Sequence, residues 1–348
     1  MAVTLRDVAA AAGVSIRTVS NVVNGFAKVA PETRARVEKV IAELDYRPNA
    51  VARSLRQGRS HLIALVLPEL DVPYFAELSR LVIEEAAARG YTVLIDQTDG
   101  DPRREREMIM GGSKASALFD GTIFSPIALG GADLRRRRSS KPIVLLGERI
   151  VGIGVDHVMI DNVAAARAAT EHLLGLGRRR VAAIGDQDDP TRETARLRTE
   201  GYRLALTEAG LPIDPDLICQ TEYFHRADGA AAMQRLLARP DPPDAVFCYN
   251  DLLALGALRV AHEHGFRVPD DIAVVGFDDI EDGRYSTPTL TTISPDKAQI
   301  ARVAVETLLR RLDGDDSPPV EYTADFDLVL RESTASSTRR RRSRSGRP

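Results

Sequence analysis

From residue 62 to residue 279 the chain alternates short apolar runs with amphipathic stretches, and this alternation restricts the fold more than any other feature. The runs are LIALVLP (62–68), YTVLIDQ (91–97), GTIFSPI (121–127), PIVLLGE (142–148), VAAIGD (181–186), AVFCYND (245–251) and IAVVGFDD (272–279). Between them, apolar residues recur at helical spacing over 75–89, 103–116, 162–176, 194–209, 227–238 and 252–264. Strand, helix and strand in succession make a parallel sheet with helices on its faces. A chain of 348 residues is too long for one ordinary core, and the strands suffice for two sheets. In such sheets the carboxyl ends of the strands are where small molecules bind, and two facing sheets bring two sets of ends to one cleft.

Residues 1–60 have a different texture and are read as helices. Thr4 and Asp7 are spaced as a capping box ahead of LRDVAAAA, which Gly13 stops. Ser15 is placed to cap a second helix running to about Val23, with Asn24-Gly25 as its end. Pro31 opens a third, in which Val37, Val40, Ile41 and Leu44 share one face. Two short helices joined by a Gly turn, with a third beside them, form a helix-turn-helix. The second helix of that motif enters the DNA major groove. Its valines, Val14, Val19, Val22 and Val23, pack, and its other face is turned outward. Arg17 suits a bidentate contact to guanine, Asn21 a pair of bonds to adenine and Ile16 a thymine methyl, with Ser20 on the same reading face. Thr4, Ser15, Thr18, Asn24 and Tyr46 suit phosphate contacts or helix caps.

The charge distribution agrees with a DNA-binding end. Residues 1–60 carry +5 and residues 331–348 carry +6, which leaves −14 for the rest of a chain whose net charge is −3. Next to the head, NAVARSLR is too short to be a stable helix alone. It reads either as a flexible linker or as a hinge helix ordered on DNA. As a hinge, Asn49, Ala52, Arg53 and Arg56 would lie along a minor groove and Leu55 would wedge between base pairs.

The segments TLRDVAAAAGVS, TVSNVVNG, ETRARVEKVIAELDYRPN and ARSLRQGRS resemble, without a break, the head and hinge of the lactose and galactose repressor family. NDLLALGALRVAHEHGFRVPDDIAVVGFDDIEDGRYSTPTLTTI is similar to that family's effector domain, and the resemblance covers residues 3–333. It implies an all-α helix-turn-helix head plus an α/β periplasmic-binding-protein-like core of two doubly wound parallel-sheet lobes. The expected divisions are a head at 1–46, a hinge at 47–60 and a core at 61–333. Within the core the lobes are expected at about 61–160 plus 291–320 and 161–290 plus 321–333, and 334–348 reads as a disordered basic tail. The chain departs from the family at Asn21, where arginine is usual, and at LLGER, where an aspartate often follows the fourth strand.

Polar residues collect at the expected strand ends: Asp96, Ser125, Glu148, Arg149, Asp186, Asn250, Asp251, Asp278 and Asp279. Each also fits a helix cap in a strand-to-helix loop. By resemblance, Asn250 and Asp278 bind ligand hydroxyls, Arg198 holds the ring-oxygen side or an anionic group, Phe224 stacks on an apolar face, and Tyr74 and Phe75 line the first lobe. The resemblance implies a transcriptional repressor acting as a homodimer on palindromic double-stranded operator DNA, under control of a small-molecule effector, a sugar. A constitutive DNA-binding regulator, a sugar-binding transport protein and an enzyme are the rival readings. Against the last two stand the head, the lack of a signal-peptide pattern and the lack of a phosphate loop or nucleophile and base pair. Cys219 and Cys248 are too few for a disulfide framework or thiolate metal site, and His262 and His264, two apart, face different directions on a helix. No metal, cofactor or membrane association is expected, and the cytoplasm is the expected location.

Overall fold

Capping chemistry and valine spacing build the head as the sequence predicts. In a computed structural model that describes residues 3–23, 29–46, 59–110, 118–137, 141–147, 154–189 and 192–335, helices α1 (Leu5–Ala12), α2 (Ile16–Val23) and α3 (Pro31–Glu43) pack on one another. Thr4 and Asp7 cap α1 reciprocally, with the Thr4 N–H donating to the Asp7 carboxylate at 2.8 Å. Gly13 closes the helix in the left-handed region that glycine tolerates, at φ 62°. The head's core is Val8, Ala9, Ala12, Val19, Val22, Val37 and Tyr46. Asn24, Glu148, Arg149, the proposed hinge with Asn49, Ala52, Arg53, Leu55 and Arg56, and the basic tail from residue 336 lie outside the described residues.

Residues 62–335 form a second compact unit that contains two six-stranded sheets. The strands are β1 (Leu62–Leu67), β2 (Thr92–Gln97), β3 (Gly121–Phe124), β4 (Ile143–Leu146), β5 (Asp156–Ile160), β6 (Val181–Asp186), β7 (Ile218–Gln220), β8 (Ala245–Cys248), β9 (Ala273–Phe277), β10 (Thr291–Pro295), β11 (Glu321–Ala324) and β12 (Phe326–Val329). The first sheet runs β11-β5-β4-β3-β1-β2 and the second β12-β10-β9-β8-β6-β7. All pairs are parallel except β10 with β12. Each of the seven apolar runs is a strand, and five further strands are added.

Two segments change lobe relative to the sequence partition. β10 pairs with β9 in the second sheet, although 291–320 is expected with the first lobe, while β11 pairs with β5 in the first sheet, although 321–333 is expected with the second. The helix Lys297–Leu312 between them packs on β3, β4 and β5 of the first lobe. The chain therefore passes between lobes three times, at Asp161, Asp296 and Asp325.

β5 escapes sequence reading because it opens with Asp156 and His157, both buried. Arg311 makes that burial tolerable: its Nε and Nη2 donate to the two Asp156 oxygens at 2.7 and 2.9 Å, and the Val320 N–H adds a bond at 2.9 Å. Burial alone would raise the Asp156 carboxyl, but the Arg311 guanidinium and the Val320 N–H together hold it below the ordinary carboxylate value. A depressed carboxyl contributes stability above its unfolded value and loses it as the pH falls through the folded one. Arg311→Met is therefore expected to cost about 3 kcal/mol in urea unfolding near neutral pH. The gap from the parent should shrink as the pH falls through the ordinary carboxylate range and below it, because a protonated Asp156 no longer needs the guanidinium.

Candidate DNA-reading helix and ligand cleft

Among the described residues, helix α2 is docked through Val19 and Val22. Val19 and Val22 are buried, while Ser15, Ile16 and Arg17 are exposed and Thr18, Ser20 and Asn21 half-exposed. Ser15 caps the helix by accepting the Thr18 N–H at 3.1 Å, and its hydroxyl lies 2.9 Å from that of Thr18. Ile16 is 41% exposed at the amino-terminal end, where a large apolar side chain gains nothing from water. Tyr46, expected among the phosphate contacts, is instead buried in the head's core, 8% exposed, and its N–H donates to the Ile41 carbonyl. Its ring belongs to the same buried cluster as Val8, Val19 and Val37.

In the second unit the carboxyl ends of the two sheets enclose a cavity of about 200 Å³. Tyr74, Phe75, Ser125, Arg198, Phe224, Asn250 and Asp278, the seven residues proposed from the sequence, all line it. Tyr74 and Phe75 stand in the first turn of the helix Pro73–Ala87, their rings edge to face at 5.3 Å. Ser125 follows β3, and the loop after it is fixed by Glu105, a fully buried carboxylate that accepts the N–H groups of Ile127, Ala128 and Leu129 at 2.8–2.9 Å. Nothing in PRREREMIM marks Glu105 for that task.

The opposite wall is built around Arg198 in the helix Glu193–Glu208. Its Nε donates to Asn162 Oδ1 at 2.7 Å, Nη1 donates to the Tyr249 carbonyl, and its Cζ lies 3.5 Å from the centre of the Phe277 ring. A guanidinium so placed reaches the cavity at 6% exposure with its orientation fixed before any ligand arrives. Asn250 caps the helix Asp251–Glu263 through the Leu253 N–H and donates to the Phe224 carbonyl at 3.0 Å, which ties the aromatic residue to the cap. Asp278 holds φ 107°, a conformation rare for a side-chain-bearing residue. Its N–H to the Ile293 carbonyl at 2.8 Å and its own carbonyl on Lys297 Nζ at 2.7 Å maintain it.

Four other strand-end carboxylates do other work. Asp251 is buried and accepts from Thr292 Oγ1 and the Ile280 N–H; burial and then neighbouring Asp278 push it well above the ordinary carboxylate value. Asp279 is paired with Arg284 and Arg331, Asp186 accepts from Thr199, and Asp96 accepts from the next N–H. Sequence reasoning missed Glu69, Gln187, Arg192, Glu193, Tyr223 and His225 in the lining. Tyr223 and His225 flank Phe224, and that adjacency was the one available signal. Among the described residues no group of three His, Cys, Asp or Glu is set to hold a metal ion, and no helix is long and apolar enough to cross a membrane.

Known proteins carry the same two parts. A model of bacterial regulatory proteins of the lacI family matches residues 4–49, and one of a periplasmic binding protein-like domain matches residues 170–334. Over 339 residues, 96% of each chain, the sequence is 34% identical to the transcriptional repressor CytR of Escherichia coli (strain K12). The chain belongs to the LacI family. Among solved structures, a lac repressor dimer bound to operator and the anti-inducer ONPF matches with TM-score 0.85 and 29% identity over 97% of this chain and 100% of that one. A complex of the transcriptional regulator CelR with cellobiose matches with TM-score 0.70 and 34% identity over 95% and 99%. This LacI-family member is a DNA-binding transcriptional repressor with a ligand-binding core.

The wall that carries Arg198 depends on one glycine. Gly185, at φ 127°, lies under Tyr249, and a Cβ there would meet the Tyr249 side chain at 2.6–2.9 Å. Gly185→Ala is expected to cost about 1–3 kcal/mol in urea unfolding, because both the ring and the backbone must shift. The DNA sequence preference of the head should be unchanged.

Proposed function

We propose that this LacI-family repressor works as a homodimer on a near-palindromic operator and that a small polyhydroxylated ligand, a sugar, binds in the cleft and changes its affinity for DNA. The reading rests above all on α2, a helix docked through Val19 and Val22 whose outer face carries Ile16, Arg17, Ser20 and Asn21. A bidentate guanidinium, an amide and an apolar side chain on the same helix match the donor, acceptor and methyl pattern of a major-groove edge. Dimerisation on operator DNA is supported by the solved lac repressor complex, and a sugar by the CelR complex with cellobiose.

The cleft offers what a sugar requires. Phe224 supplies a flat apolar face for ring C–H groups, while Arg198, Asn250 and Asp278 supply donors and acceptors for paired hydroxyls. We read it as a binding site without turnover, in a cytoplasmic protein, and the similarity to transcriptional regulators supports that reading. For an effector to regulate, it must bind one arrangement of the lobes more tightly than the other.

Duplexes selected from a random pool by the purified chain should converge on two inverted half-sites. Arg17→Ala is expected to cost about 1–3 kcal/mol on the selected site and to relax preference at one base position per half-site. Binding without an enriched sequence, merely steep in salt, would overturn the proposal. In thermal shift with a sugar panel that includes cellobiose and ribose, any compound that raises the parent's melting temperature should fail to do so with Arg198→Ala.

A further inference from the structure

The floor and the mouth of the cleft are chemically distinct. Arg198, Asn250 and Asp278 are 6%, 4% and 9% exposed, whereas the side chains of Glu69 and His225 retain 28% and 45% of their surface. Glu69 follows β1 in the first lobe, and His225 precedes the helix Arg226–Leu237 in the second. Across the mouth, His225 Nε2 stands 2.8 Å from Glu69 Oε2. Both line the cavity. Any opening of the lobes must therefore break this contact.

His225 is braced on its own side. The Tyr223 ring stacks on the imidazole, 5.5 Å between centres and 8° between planes, and the His225 N–H donates to the Asp228 carboxylate at 3.3 Å. The imidazole thus meets Glu69 from a fixed base, which lowers the entropy lost in forming the contact. We propose that Glu69 and His225 form a proton-strengthened clasp between the lobes, closing the mouth of the cleft when the imidazole carries its charge and loosening it when the proton leaves.

With the imidazolium, the contact is an ion pair as well as a hydrogen bond. With the neutral ring only the N–H donation to the carboxylate remains, so the clasp weakens without vanishing. Imidazole is the side-chain group that ordinarily gains or loses its charge between about pH 5 and 8, so that interval is where the contact is to be tested. Other charges around the mouth are engaged elsewhere: Arg226 with Asp282 at 2.8 Å, Arg192 with Asp189 at 4.0 Å, and Glu193 with Arg196. The Tyr223 ring covers one face of the imidazole. Because the pair is partly exposed, its effect on the ratio of closed to open lobes is modest, about two- to fivefold.

The test needs no effector. Fluorophores on the full chain at Asp71→Cys in the first lobe and Asp188→Cys in the second, both exposed positions, report lobe separation in single-molecule energy transfer, while native Cys219 and Cys248 are buried. The closed-to-open ratio should fall about two- to fivefold between about pH 5.5 and about pH 8.5. Glu69→Gln, His225→Gln and the double variant should each lose that dependence, the double behaving as either single. A pH-independent distribution in the parent, or a dependence that survives in His225→Gln, overturns the clasp. Operator selection with the same variants keeps this separate from the regulator reading: the clasp can fail while the selected site is unchanged, and the reverse also holds.

Discussion

Three single-residue crossings between the lobes determine what the cleft can do. Asp161, Asp296 and Asp325 each stand where the chain leaves one sheet for the other. They are tied locally: Asp161 and Asp296 cap the helices that follow, the Asp296 N–H donates to the Asp325 carbonyl at 2.9 Å, and Gln299 exchanges two bonds with Asp325. Crossings this short permit the lobes to pivot but not to slide far, because each has few backbone dihedrals to spend. Motion is thereby directed into opening and closing the space at the carboxyl ends of the strands, where the cavity lies.

Within that space the wall from the second lobe is densely bonded. Arg198 is fixed by Asn162, the Tyr249 carbonyl and the Phe277 ring, and Tyr249 is fixed in turn by Thr199 and the close approach of Gly185. Asp278 is held in a rare backbone conformation by two bonds, one of them from Lys297 of the first lobe. A ligand therefore meets a prepared wall on one side and, on the other, an aromatic pair and a loop anchored by Glu105. The energy such a ligand can spend on moving the lobes comes from contacts that form only when both walls reach it.

Much of this was legible in the sequence, for identifiable reasons. Continuous apolar runs such as LIALVLP and IAVVGFDD have to be buried on both faces, and capping residues announce α1 and α2. Of the seven cleft residues, six were found because the resemblance carried them position by position, and Ser125 because it stands at the end of an apolar run. What escaped depends on distant partners. β5 begins with two polar residues that only Arg311 and the fold around it make compatible with burial. β11 and β12 are four residues each and separated by Asp325 alone, so no period can be read from them, and their sheets are settled by the strands they meet. Glu69 and His225 are 156 positions apart and signal nothing until the lobes face each other.

The central claim is that occupancy of the cleft and affinity for DNA are coupled in one molecule. The direct measurement is fluorescence anisotropy of a selected operator duplex, titrated with the full chain in the presence of each compound that raises its melting temperature. The account predicts that at least one such compound shifts operator affinity by about 5- to 150-fold. With Arg198→Ala the shift should disappear while ligand-free affinity stays at the parent value. A compound whose binding requires Arg198 but leaves operator affinity unchanged at saturation would contradict it.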